Sequence, residues 1–222
     1  MRKDDLDRIE KWAATSLRTA FALLLTLILC GPAVAQSTTF HANGAFAFAF
    51  GCSESQTSFD CIQVFVATGS AKGQTTTFMF YDHTVSDVNT GAFLQDTFGF
   101  GTIPNSAFQV HALTDSLNVD TSTLSPDVFS NGCFTSDPNT TCNFSGGVVT
   151  GTWNVIPHLD TFHSSGASSE ISPNTIFITN GTSDSQAALA SVNVLGAALA
   201  NANVTGQVGK QFNTSISVQV RH

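Results

Sequence analysis

Residues 45–50 read Ala-Phe-Ala-Phe-Ala-Phe, and that run constrains the fold more tightly than any other stretch of the chain. At a period of two it sets the phenyl rings on one face and the methyls on the other, a separation that a helical period of 3.6 residues scatters. The alternation recurs. Ile62, Val64 and Val66 oppose Gln63, Phe65 and Ala67, while Phe78, Phe80 and Asp82 oppose Thr77, Met79, Tyr81 and His83. Phe98 and Phe100 have the same spacing, as do Phe108, Val110 and Ala112. Val149, Gly151, Trp153 and Val155 oppose Thr150, Thr152 and Asn154, and Ile216, Val218 and Val220 oppose Ser217, Gln219 and Arg221. Gly, Asn, Asp and Ser clusters separate these runs, with Pro104, Pro126, Pro138, Pro157 and Pro173 among them.

The pattern predicts an all-β, antiparallel β-sandwich, jelly-roll-like or similar. About nine strands fit, and both faces of several are apolar, which suits two packed layers. Residues 187–200, rich in Ala, carry a helical alternative, but Ser191-Val-Asn-Val194 in their middle favours a strand. Residues 121–141 read as a polar insert between two halves. A closed outer-membrane barrel has the same alternation, yet its interfacial girdles are rich in Tyr and Trp. Beyond residue 35 the chain holds only Tyr81 and Trp153 of those types.

Composition removes further classes. A charged fraction of 11% argues against a coiled coil, and 19 Phe argue against disorder. From residue 20 onward three basic residues face twelve acidic ones, a balance that repels phosphate backbones, so nucleic-acid binding is not expected.

Residues 21–30 form an uncharged apolar run after a basic segment, and Ala33-Val-Ala35 follows as an Ala-x-Ala cleavage signature. This predicts a signal peptide over 1–35, cleaved near Ala35, and a single domain over 36–222, secreted or periplasmic. Ten apolar residues fall short of the roughly 20 that a spanning helix needs, so no stable membrane span is expected. Gly-Cys-x8-Cys occurs twice, at Cys52/Cys61 and Cys133/Cys142. Turn-rich intervals favour local disulfides, each worth about 2.5–3 kcal/mol in the chain-entropy model. Zinc is the alternative, but eight intervening residues exceed the usual two to four. The repeated spacing also hints at an internal duplication.

Chemistry is less sharply marked. His158, Asp160 and His163 form the densest set of proton-transfer residues, with Asp82 and His83 next, and Ser164 and Ser165 follow the first set directly. Asp87 and Asn89 precede Gly91 as the opening of a calcium loop does, although an Asp-Asn-Gly turn explains them as well. Phe without Tyr or Trp disfavours a sugar-stacking platform. The expected function is a binding, adhesive or extracellular-matrix component with an extracellular ligand, small molecule or glycan, and calcium as the one cofactor to consider. The alternative is an extracellular hydrolase, with calcium as its candidate cofactor, acting on a small ester, lactone or glycan.

Overall fold

The computed structural model describes residues 36–220 apart from 138–141, 158–160, 173–174 and 201–203. Among the described residues twelve antiparallel strands form: β1 (Gln36–Glu54), β2 (Ser58–Ala71), β3 (Gln74–Asp87), β4 (Phe93–Ile103), β5 (Phe108–Val110), β6 (Thr114–Asp120), β7 (Phe129–Thr135), β8 (Val148–Val155), β9 (Thr161–Ser172), β10 (Thr175–Val194), β11 (Ala197–Leu199) and β12 (Val204–Val220). They belong to one sheet of order β5-β6-β8-β10-β12-β1-β2-β3-β4-β7, with β9 and β11 each paired to β10. The two layers of the sandwich-like fold are therefore the two halves of a single rolled sheet, whose path is not closed by a ladder between β5 and β7. The strand count exceeds the expected nine partly because β5 and β11 are three residues long, too short to show a period.

One predicted detail changes and another holds. The supposed polar insert contains β7, the last strand of the path, so it continues the sheet instead of dividing it. Residues 187–194 lie in β10 with Ala188, Ala190, Val192 and Val194 all buried, a period-two stripe that overrides the helix preference of alanine. Tight turns come where the backbone allows them: Lys72 and Gly73 both have positive φ between β2 and β3, as do Leu195 and Gly196 between β10 and β11. Two residues with positive φ match the right-handed twist of a hairpin.

The alternation at 45–50 resolves in an unexpected sense. Ala47 and Ala49 point into the core between the layers, in cross-strand register with Val66 and Val64. The rings point the other way. Phe48, Phe65, Phe80 and Phe100 are consecutive register partners across β1 to β4, forming one row on the opposite face. Phe40, Phe46, Phe78, Phe80 and Phe100 belong to this second cluster, separate from the interlayer core. The interlayer core is mostly small and aliphatic, with Trp153, Tyr81, Phe108 and Phe129 as its large members. The methyls thus face the interlayer core, and the rings form a second buried cluster on the other face of the sheet.

Room for the large members comes from glycines. A Cβ on Gly151 or Gly206 would meet the Trp153 ring, and one on Gly99 would meet Tyr81. Trp153 is fully buried, and its indole N–H donates to the Phe48 carbonyl at 2.8 Å, tying β8 to β1 across the core. Both pairs of cysteines form the expected local disulfides, Cys52–Cys61 and Cys133–Cys142. Their surroundings differ: Cys52 and Cys61 are register partners inside the β1–β2 ladder, whereas Cys133 in β7 bonds to Cys142 in an irregular segment. The equal spacing is thus not mirrored by equal structure.

Gly151→Ala should lower the unfolding free energy by about 1–3 kcal/mol through overpacking against the indole. In a Trp153→Phe background the same change should have a clearly smaller effect. Urea titrations of the double-mutant cycle measure both, and equal effects in the two backgrounds would disprove the packing account.

Candidate functional site

A strand turns successive side chains to opposite faces, so Asp82 and His83 cannot act as a pair. The structure separates them accordingly. On the inward-facing side, His83 Nε2 lies 3.2 Å from Asp60 Oδ1, and both side chains are partly buried. Asp60 is the register partner of Val85, one diagonal step from His83 on the same face. The Ser58 hydroxyl donates to the other oxygen, Asp60 Oδ2, at 2.8 Å. The carboxylate therefore stands between the hydroxyl and the imidazole. Acyl transfer needs the imidazole next to the hydroxyl and the carboxylate behind it, so this order positions side chains without making a serine nucleophile.

On the opposite face, Asp82 of β3 meets Asp96 of β4. Thr84 pairs in register with Asp96, and Asp82 with Phe98, which makes the two acids diagonal neighbours. A side-chain hydrogen bond joins them. The Thr84 hydroxyl donates to Asp82 Oδ1 at 3.4 Å. Asp96 Oδ1 is buried with no hydrogen-bond partner among the described residues. Burial pushes the Asp96 carboxyl above its ordinary pKa, while the bond to Asp82, the charge of His83 and the Thr97 backbone N–H offset part of the rise. Two carboxyls in contact share a proton, because both cannot ionise at short range without strong repulsion.

Around this pair the face is mixed. Cys52, Cys61, Thr84, Asp96 and Phe134 form one cross-strand row, and Phe50, Gln63, Asp82 and Phe98 form the row beside it. Phe93 packs on Phe134 with ring centroids 5.5 Å apart, and Leu94 and Phe134 are 40% and 43% exposed at this corner.

The other sequence candidates stand elsewhere. His158 and Asp160 lie outside the described residues. His163 is in β9, in backbone register with Asp184 of β10. Asp87 closes a turn: its Oδ1 accepts the backbone N–H groups of Asn89 and Thr90 and the Thr90 hydroxyl, at 3.0, 2.8 and 2.8 Å. Those bonds, from Thr90 first, hold its carboxyl below the ordinary range. The turn thus forms as an Asp-Asn-Gly sequence suggests, and Asn89 contributes to it through its backbone N–H. Among the described residues no group of three or more His, Cys, Asp or Glu could hold a metal ion.

Sequence reasoning singled out Asp82 and His83 but missed Asp60 and Asp96, their actual partners. The signal existed. Pairing β2 with β3 and β3 with β4 as consecutive strands brings these acids near 82 and 83, on the faces that the period-two pattern assigns. No protein-family model, curated protein or solved structure matches the chain.

Asp96 supplies a pH test. Its folded pKa is raised, so the protonated form is favoured on folding; its contribution is fully present below the unfolded pKa of about 3.9 and is lost as pH rises through the folded value. Asp96→Asn keeps a donor toward Asp82 without needing a proton. The variant should therefore melt at a higher temperature than the parent at pH 7.5, with the gap shrinking toward pH 4. A gap that is constant with pH would refute the shared proton.

Proposed function

We propose that the chain is an exported binding or adhesive component, secreted or periplasmic, whose contact face is the corner where β4 begins and β7 ends. The two disulfides suit an oxidising compartment, and among the described residues no helix is long and apolar enough to cross a membrane. The observation that carries the reading is the composition of that corner: exposed Leu94 and Phe134, with Phe93 packed on Phe134, which is one cross-strand step from Asp96 of the acid pair. Exposed apolar groups beside acidic ones suit a ligand that presents a cationic group next to an apolar surface. The acidic balance of the chain, formally −8, favours the same sign of partner.

The hydrolase alternative has less support. Its proton-transfer groups Asp82 and His83 are divided between the two faces of the sheet, and Asp60 stands between the hydroxyl and the imidazole it would need to link. His158, Asp160 and His163 remain its strongest residues, and calcium its cofactor to test.

Residues 36–222, purified in the oxidised state, should be retained on aminated, partly alkylated beads at 0.15 M salt and pass through carboxylated ones. The double variant Leu94→Ser with Phe134→Ser should weaken retention about tenfold, the effect of losing roughly 1.4 kcal/mol of apolar contact. Retention that ignores both substitutions removes the corner from consideration. Turnover on an ester, lactone or glycan panel, with or without Ca²⁺, that disappears in His158→Ala would replace the binding reading with the hydrolase.

A further inference from the structure

The path of the sheet ends at β7, and a terminal strand presents unpaired backbone groups that template further pairing. Natural edges are blunted by charge, by proline or by cover. β7, Phe-Ser-Asn-Gly-Cys-Phe-Thr, has neither a charge nor a proline. Cover is what remains.

The segment between β7 and β8 provides it. Cys142 is bonded to Cys133. The carbonyl of Ser145 accepts a hydrogen bond from Asn131 Nδ2 at 3.3 Å. Gly147 accepts from the Thr121 backbone N–H at 2.8 Å and donates its own N–H to the Thr121 hydroxyl at 3.0 Å. Residues 142, 145 and 147 thus lie beside 133, 131 and 121 in turn, so the chain runs back along β7 and crosses to the end of β6. It does so without forming a strand. Between the anchors, Phe144 packs against the interlayer core.

We propose that residues 142–147 are a redox-sensitive strap over the seam of the rolled sheet, with the Cys133–Cys142 bond as its clasp. Both cysteines are partly exposed, so an exported protein dithiol or a small dithiol reaches them. One thiolate of the dithiol attacks a sulfur of the pair, the S–S bond breaks, and a mixed disulfide forms. The second thiol displaces it, leaving Cys133 and Cys142 as thiols and the reagent as a cyclic disulfide; two electrons and two protons pass to the protein. The released strap keeps its hydrogen bonds at Asn131 and Thr121 and the packing of Phe144 but loses its covalent hold on β7, whose neutral edge becomes available for pairing. The other disulfide has no such leverage. Cys52 and Cys61 are flanked in the β1–β2 ladder by the register pairs Gly51 with Ile62 and Ser53 with Asp60, which hold the strands together without it.

Hydrogen exchange on the oxidised protein tests this. In Cys133→Ser with Cys142→Ser, amides of β7 should exchange about tenfold faster or more, while those of β1 and β2 keep their native rates. In Cys52→Ser with Cys61→Ser, β7 should be unchanged. Native-rate exchange of β7 in the first variant, or equal loosening of β7 in the second, overturns the proposal. Should the first variant fail to fold, dithiothreitol titration of the native protein decides. Loss of β7 protection that follows alkylation of Cys133 supports the clasp, and loss that appears only with global unfolding rejects it.

Discussion

The rolled sheet depends on a seam that backbone pairing does not close. With no ladder between β5 and β7, the two ends are joined by side chains, and Asn131 is the centre of the junction. Its Oδ1 accepts the Tyr81 hydroxyl at 2.7 Å, and its Nδ2 donates to the carbonyls of Thr121 and Ser145 at 3.2 and 3.3 Å. One amide thereby links the interior of β3, the turn after β6 and the segment before β8. Without this partly buried amide the hydroxyl of fully buried Tyr81 would lose its acceptor, at a cost of about 1–3 kcal/mol. Burial raises the Tyr81 hydroxyl far above its usual pKa, with the Thr121 hydroxyl offsetting little of the rise, so it stays a donor throughout the physiological range. The seam is held by groups that do not titrate near neutrality.

The two faces of the sheet carry different side chains. Where the halves approach, the inner row Ala49, Val64, Tyr81, Gly99 and Asn131 sets its one phenol beside a glycine, on which a Cβ would meet the ring. The outer row Phe48, Phe65, Phe80 and Phe100 is aromatic throughout, with Phe80 and Phe100 buried. Glycine serves the rings here too: a Cβ on Gly209 would meet Phe46, and one on Gly132 would meet Phe98. The sheet thus carries two apolar clusters rather than one.

Much of the fold was legible because alternation is a local signal. The strands around 45–50, 62–67, 77–83 and 149–155, the local disulfides and the strand at 187–194 all follow from residues within a few positions of one another. Which face points inward was not legible, since Ala-Phe alternation is symmetric until curvature chooses a side. Nor was β7, whose Ser-Asn-Gly centre reads as a loop and becomes a strand only through pairing with β4. The site was half legible. Asp82 and His83 stood out in the sequence, but their partners Asp60 and Asp96 depend on cross-strand register, which no short window contains. The set at His158, Asp160 and His163 stood out for density alone.

Register also decides where the charged groups can stand. A shift of one residue in the pairing of β3 would turn Asp82 toward the interlayer core and carry His83 out to the phenyl face. In the observed register, the outer face changes along the strands from a row of rings, through Phe50, Gln63, Asp82 and Phe98, to Cys52, Cys61, Thr84, Asp96 and Phe134. The acids therefore stand where the phenyl cluster gives way, buried enough to share a proton yet next to the exposed corner. On the inner face the same strands pass from Ile62 and Tyr81 to the Asp60–His83 pair, again only near the strand ends. Each polar pair lies near a strand end, where its side chains are only partly buried or have partly exposed neighbours. Moving either pair two residues toward the middle of its strand would place an acid among fully buried neighbours, at Val64 and Tyr81 on one side or Phe80 and Phe100 on the other. The apolar rows thus fix the register, and the register in turn leaves the ends of β2, β3 and β4 as the part of this half of the sheet where ionisable chemistry is tolerated.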